Sequence, residues 1–286
     1  MKISEIYNKK KTVFSLEVFP PKKNYSVDTI LETLDGLSGT SPDFISVTYG
    51  AGGNIADSKT RSIAEIIKKK YGIESMAHLT CVSTSKDDAT AILDDFGEHG
   101  IENILALRGD FSPDHPPKDD FKYASDLAAF IKARGAFDIG GACYPERHNE
   151  APDDKTDIDN LKKKVEAGAS FLISQLFFDN RYFLDFLERA RAAGIDVPVS
   201  AGIMPVTNKR QIERMVTMCG ASIPQKLARL MSKYAEDDVS LMSAGIEYAA
   251  KQMIGLIDAG VDGIHLYTMN NPAVANKIYD LIKSKL

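Results

Sequence analysis

Ser75-Met76-Ala77-His78-Leu79-Thr80-Cys81-Val82, then Gly100-Ile101, then Asn103-Ile104-Leu105-Ala106-Leu107: this stretch decides the fold. An apolar run, a helical interval, a glycine and a second apolar run make one βα unit of about 30 residues. Glycine ends a helix in the left-handed conformation without steric cost, so Gly100-Ile101 marks the turn from helix into strand. Outward from this unit the beat repeats. Thr12–Phe19, Phe44–Tyr49, Ser75–Val82, Asn103–Leu107, Ile139–Tyr144, Phe171–Phe177, Val197–Ile203 and Gly263–Thr268 read as strands. Their centres lie roughly 26 to 36 residues apart, and the last interval is about double. It has room for an additional helix near Ser222–Tyr234, beside one over Leu241–Asp258.

The intervals carry amphipathic helices. Val27, Ile30, Leu31, Leu34 and Leu37 follow the i, i+3, i+4, i+7 rule, as do Phe183, Phe186, Leu187 and Ala190. Gly72-Ile73, Gly194-Ile195 and Gly260-Val261 repeat the helix stop, with Gly168-Ala169 a weaker copy. Eight strands alternating with helices imply parallel pairing through right-handed crossovers, in a closed barrel or an open doubly wound sheet. Eight units in this length favour the α/β class with a (β/α)8 TIM barrel, carrying an extra helix before the last strand. No linker or composition shift divides the chain, so a single catalytic domain over 1–286 is expected; Ser112–Lys118 is its best loop candidate.

Composition narrows the function. The 286 residues hold 35 Lys plus Arg against 40 Asp plus Glu, a net charge of −5, with 44% hydrophobic and 26% charged residues. That is a globular balance, and its mild acidity argues against a nucleic-acid or anionic-membrane partner. The triplets Lys9–Lys11, Lys68–Lys70 and Lys162–Lys164 read as solvated helix faces. Cys81, Cys143 and Cys219 form no C-x-x-C pair, which fits a reducing compartment. With no signal-peptide pattern and no long apolar run, a cytoplasmic location is expected.

A βα barrel does its chemistry at the carboxyl ends of its strands. Those ends read Glu17, Thr48, His78, Arg108 with Asp110, Tyr144 with Glu146 and His148, Gln175, the turn Gly202–Pro205, and Tyr267. A ring of polar groups at one rim costs too much to bury without a ligand to serve. Glu17, in Phe14-Ser15-Leu16-Glu17-Val18-Phe19-Pro20-Pro21, has no neighbouring base in sequence, so its carboxyl is expected to be raised, suiting a general acid. The bland alternative is a strand-end carboxylate paired with a distant Arg or Lys. Tyr49-Gly50-Ala51-Gly52-Gly53-Asn54 stands where a dinucleotide loop would, but Ile55 replaces the third glycine, leaving a weak Rossmann signal. His78, Asp110, His148 and His265 lack H-x-H or H-E-x-x-H spacing, so a metal site is the weaker reading. His265 is expected to pack inside its strand, and His99 and His115 to lie at the surface.

The ordered set Leu16–Pro21, Ser46-Val47-Thr48-Tyr49-Gly50-Ala51, His78-Leu79-Thr80-Cys81, Ala106-Leu107-Arg108-Gly109-Asp110, Tyr144-Pro145-Glu146 with His148, Ser174-Gln175-Leu176-Phe177-Phe178-Asp179 and Gly202-Ile203-Met204-Pro205 resembles one family. It is that of 5,10-methylenetetrahydrofolate reductases, short bacterial type, from about residue 12 onward. The resemblance implies a cytoplasmic flavoprotein of one-carbon metabolism and methionine biosynthesis. This oxidoreductase would hold FAD without a Rossmann fold and reduce methylenetetrahydrofolate to 5-methyltetrahydrofolate with NADH or NADPH. The two half-reactions share one site in ping-pong order. By position, Thr48, His78, Arg108, Gly109, Asp110, Tyr144, His148, Asp157 and Lys164 would contact FAD. Glu17 would be the general acid that opens the five-membered ring, and Asp110 would tune the flavin and bind the pterin. Gln175, Met215 and Tyr267 would meet the folate. Two departures are Met215 where members carry phenylalanine, and Asn271 where they carry an arginine near the folate tail. A homo-oligomer is expected by the same resemblance. The alternatives from other classes are a metal-dependent barrel hydrolase and a non-catalytic folate- or flavin-binding subunit.

Overall fold

The computed structural model describes residues 1–21, 28–49, 59–111 and 116–286. Val27, the Gly50–Asn54 loop with Ile55, and His115 lie outside the described residues. Eight strands close into a barrel in sequence order, every pair parallel: β1 Val13–Val18, β2 Phe44–Val47, β3 Glu74–Thr80, β4 Asn103–Leu107, β5 Asp138–Cys143, β6 Phe171–Ser174, β7 Val199–Ile203 and β8 Gly263–Tyr267. The helices are α1 Ile3–Tyr7, α2 Asp28–Leu37, α3 Lys59–Tyr71, α4 Lys86–Glu98, α5 Ala124–Arg134, α6 Asp154–Glu166, α7 Asn180–Ala192, α8 Lys209–Cys219, α9 Gln225–Lys233, α10 Asp238–Asp258 and α11 Pro272–Ile282. The closed barrel replaces the open-sheet alternative.

Alternation along the strands sorts the core into two layers. Phe14, Leu16, Ile45, Val47, Ala77, Leu79, Ile104 and Ala106 pack outward with the helices, through Ile30, Leu34, Leu37, Phe183, Phe186 and Ala190. The intervening Val13, Phe44, Met76, Leu105, Phe171 and Ile173 fill the barrel with Ile3, Ile6 and Tyr7 of α1. Five residues are too short for a readable helical period, so α1 was invisible in the pattern. It plugs the amino end of the barrel. Farther along the same inward set come Ser15, Glu17, Ser46, His78, His265 and Tyr267.

Helix stops behave as the glycines foretell: Gly72, Gly100, Gly194 and Gly260 have φ of 66, 75, 78 and 80°. Gly168, the weaker copy, has φ of 133°, outside the left-handed helical well. The sixth strand stops at Ser174 rather than Phe177. Beyond it the Gln175 side chain accepts from the Leu176 N–H, and Gln252 donates to the Phe177 carbonyl, so this backbone is satisfied off the ladder. Three helices, not two, separate β7 from β8, α8 being the addition. Met204, Val206, Ile212, Ala221, Leu227, Met231 and Leu241 give this insertion its own core, shared with Leu176 and Phe178 after β6.

Of the lysine triplets, Lys68, Lys69 and Lys70 do engage carboxylates on the surface. Lys164 departs from the solvated reading: α6 turns it inward, and its Nζ donates to the Ala142 carbonyl at 2.5 Å. The three cysteines are free thiols.

Candidate active site

Register brings Glu17 level with Ser46 of β2 and Tyr267 of β8. Its carboxyl oxygen Oε2 lies 3.5 Å from His78 Nε2, 3.6 Å from His265 Nε2 and 3.5 Å from Ser46 Oγ. Both imidazole Nε2 atoms are buried and lack a hydrogen-bond partner. Ser15 Oγ and His265 Nδ1 are hydrogen-bonded at 2.8 Å, and the His265 ring stacks on Phe44. The Glu17 side chain keeps 19% of its surface exposed, so it remains reachable from the mouth. Two imidazole nitrogens therefore face one reachable carboxyl.

These neighbours overturn one expectation. Burial alone would raise Glu17, but His265, then the charge of His78, with Ser46, outweigh it and hold the carboxyl below its ordinary value. The sequence missed this because both histidines arrive from strands remote in the chain. The partner anticipated as Arg or Lys is a histidine pair. Burial pushes His78 the other way, down to about 4, despite the attraction of Glu17. His265 is a packed strand residue, as expected, and also a partner of the acid.

The backbone of Glu17 is pinned from β8. Thr268 Oγ1 donates to the Glu17 carbonyl at 2.6 Å, and Asn270 bonds both the N–H and the carbonyl of Phe19, at 3.0 and 2.8 Å. Met269 and Asn270 both take φ of 52° to make this turn. Tyr267 donates its hydroxyl to the Ser174 carbonyl at 2.7 Å, close to Gly202; a Cβ at Gly202 would collide with both groups. Tyr267 also joins Met215 in the core of the insertion. Asn271, by contrast, spends its side-chain oxygen capping α11 through the Val274 N–H at 3.2 Å.

A second feature opens beside β4 and β5. A cleft of about 360 Å³ gathers Arg108, Tyr144, His148, Asp157 and Lys164, five of the residues expected to touch a cofactor. Tyr123, Ala124 and Ser125, at the N-terminus of α5, also line it. Tyr144 and His148 meet edge to face with centroids 4.6 Å apart. Burial lowers Lys164 and raises Asp157. Cationic Arg108, Lys163 and Lys164 outnumber Glu150 and Asp157 there. Glu150, Asn160, Lys163 and Ser125 were missed by the sequence reading, because they flank strand ends rather than form them.

Other expected residues stand at the rim, apart from that cleft's lining. Thr48 continues the β1–β2 ladder by donating its N–H to the Val18 carbonyl at 3.0 Å. Gly109 has φ of 84° and packs so tightly that an added Cβ would meet Thr80 at 2.9 Å. Asp110 is exposed, within electrostatic reach of Arg108 and Tyr144. Gln175 is half-buried, its N–H bonded to the Cys143 carbonyl at 2.7 Å. Tyr267 links the two clusters, feeling Glu17 on one side and Tyr144 on the other. Glu146 is a fastener, both oxygens accepting from the Ser222 N–H. Among the described residues no three His, Cys, Asp or Glu side chains converge to hold a metal ion, and no helix is long and apolar enough to cross a membrane.

Comparisons with known proteins bear on the family and the fold. A methylenetetrahydrofolate reductase family model matches residues 2–283. A 5,10-methylenetetrahydrofolate reductase of Pectobacterium carotovorum is 38% identical, over 92% of this chain and 88% of its own. An Arabidopsis thaliana relative, methylenetetrahydrofolate reductase (NADH) 1, is 34% identical over 94% of this chain and 48% of its own length. In solved structures, a Clostridium thermocellum protein described as binding two copies of 5-methyl-5,6,7,8-tetrahydrofolic acid superposes with a TM-score of 0.71. It covers 99% of this chain and 98% of that one, and at 16% identity that likeness speaks for the fold alone. The family model spanning residues 2–283 of this barrel, with the 38% identical relative, places the chain in the methylenetetrahydrofolate reductase family.

Proposed function

We infer that this chain reduces 5,10-methylenetetrahydrofolate to 5-methyltetrahydrofolate, with the barrel as its one catalytic domain, FAD as cofactor and NADH or NADPH as donor. The observation that carries the reading is Glu17, an acid reachable from the mouth and flanked by two imidazoles, beside a cation-rich cleft. We place the enzyme in the cytoplasm, as a homo-oligomer.

The residues present fit FAD. A half-buried lysine whose ammonium donates to a carbonyl, with Cys143 and Asp157 nearby, is suited to an anionic ligand. Arg108, Tyr144, His148, Asp157 and Lys164 would hold it, with Thr48, His78, Gly109 and Asp110 along the rim. Bound there, FAD would supply the hydride relay from nicotinamide to folate, in ping-pong order through one shared face. The protein's part is positioning and proton supply. Gln175, Met215 and Tyr267 would receive the folate, and Asp110 would bind its pterin amino groups. Asn271 keeps a side-chain N–H2 near the mouth but brings no charge for a glutamate tail.

Glu17 delivers the proton that opens the five-membered ring. It must hold that proton first. A ring lying over the mouth would cover its remaining exposed surface, and burial is what raises a carboxyl. His265, anchored by Ser15, keeps the acid oriented. The test is Glu17→Gln in anaerobic stopped flow. Folate reduction should fall about 10²–10⁴-fold, while flavin bleaching by the nicotinamide stays near the wild-type rate. Equal loss of both half-reactions would refute the assignment, and no flavin bleaching even in wild type would favour a non-catalytic binder.

A further inference from the structure

The cleft contains one carboxylate that neither the strand-end pattern nor the family resemblance uses. Glu150 sits on the connection from β5 to α6. Its N–H donates to His148 Nδ1 at 3.1 Å, and the Ala151 N–H donates to the His148 carbonyl at 2.9 Å. Arg147, at φ of 70°, makes the preceding bend. So built, the segment aims Glu150 at Arg108. The guanidinium donates from Nη1 to Oε2 at 2.5 Å and from Nη2 to Oε1 at 2.8 Å. Its Nε faces the Gly109 carbonyl at 3.4 Å, and the Phe111 ring lies 5.3 Å away. Each of the three guanidinium nitrogens thus has a partner.

We propose that Glu150 is an internal competitor for Arg108: an anionic group of the cofactor takes that fork by displacing it, so Glu150 sets how tightly FAD is held. This rests on the reading that FAD occupies the cleft. Of the guanidinium's two bidentate edges, Glu150 fills the one made by Nη1 and Nη2, while the Nε of the other faces the Gly109 carbonyl, so a carboxylate or phosphate that grips the Nη1/Nη2 edge must take it from Glu150. The two partners differ in what moving costs them. Glu150 is 58% exposed and can swing into water, whereas Arg108, 22% exposed, stays against the cleft wall. An ion pair so open holds with modest strength, enough to tune affinity without blocking it.

The test dilutes the FAD-loaded full-length protein and follows the recovery of flavin fluorescence, which gives Kd. Glu150→Gln should lower Kd about three- to tenfold, and Glu150→Ala should do the same, since charge and not shape competes. In an Arg108→Gln background Glu150→Gln should change nothing, because the contested group is gone. A Kd that is unchanged or raised in both Glu150 variants, or equal tightening with and without Arg108, overturns the proposal. Wild-type protein that retains no FAD at any concentration would refute the flavin reading itself, and this proposal with it.

Discussion

Two histidines that the sequence grouped only as weak metal candidates meet on one carboxyl oxygen of Glu17, and this makes the site acid-sensitive. Burial holds His78 near 4, against an ordinary value of about 6.5. Between those values the unfolded chain binds the proton and the folded chain does not, so stability falls as pH drops from about 6.5 toward 4. The full effect is up to about 3 kcal/mol. Glu17 acts with the same sign: its lowered carboxyl adds stability above its unfolded value, lost as pH falls through its folded one. Urea midpoints at pH 7 and pH 5 should therefore differ, and His78→Gln should shrink the difference. An undiminished difference would show that His78 is not the group responsible. Glu17 and His78 were each legible as polar ends of apolar runs. Their contact was not, because 61 positions separate them and only barrel closure and register join them.

At the scale of elements, the helix pattern read cleanly where amphipathic periods were long, as in α2 and α7, and failed where they were short. Helix α1 is held by tertiary bonds rather than by its own propensity. Asn103, fully buried at the start of β4, accepts from the Ile3 N–H at 2.9 Å. It donates to the Met1 carbonyl at 3.1 Å and the Ser75 carbonyl at 3.2 Å. Asn103→Ala would strand these groups and cost about 2–3 kcal/mol. Denaturant unfolding should show the loss in its midpoint, while both half-reactions persist in folded enzyme, because the plug lies at the end of the barrel away from the mouth. A loss of activity larger than the loss of folded protein would contradict that separation. Helix α8 went unread because its buried face closes a small core with Leu176 and Phe178, residues from another part of the chain.

For the whole molecule, the proposed cofactor site ties FAD binding to folding. The cleft draws on the ends of β4 and β5 and on α5 and α6, so FAD bound there favours the folded state only. At a hundred times its Kd, FAD should add about 2.7 kcal/mol, seen as a melting temperature that climbs with added FAD. A melting temperature indifferent to FAD would place the cofactor elsewhere. The eight strands, within a few residues of their ends, and the polar side chains that finish them were written in local periodicity, and the count of units favoured a barrel over an open sheet. Alternation of two and 3.6 is a property of neighbouring residues, and the amino-acid order alone determines it. Which rim residues touch, how they share protons, and which carboxylate contests Arg108 were decided by the tertiary structure. Those depend on strand register and on loops that meet across the barrel, and electrostatic energy follows distance in space rather than distance along the chain.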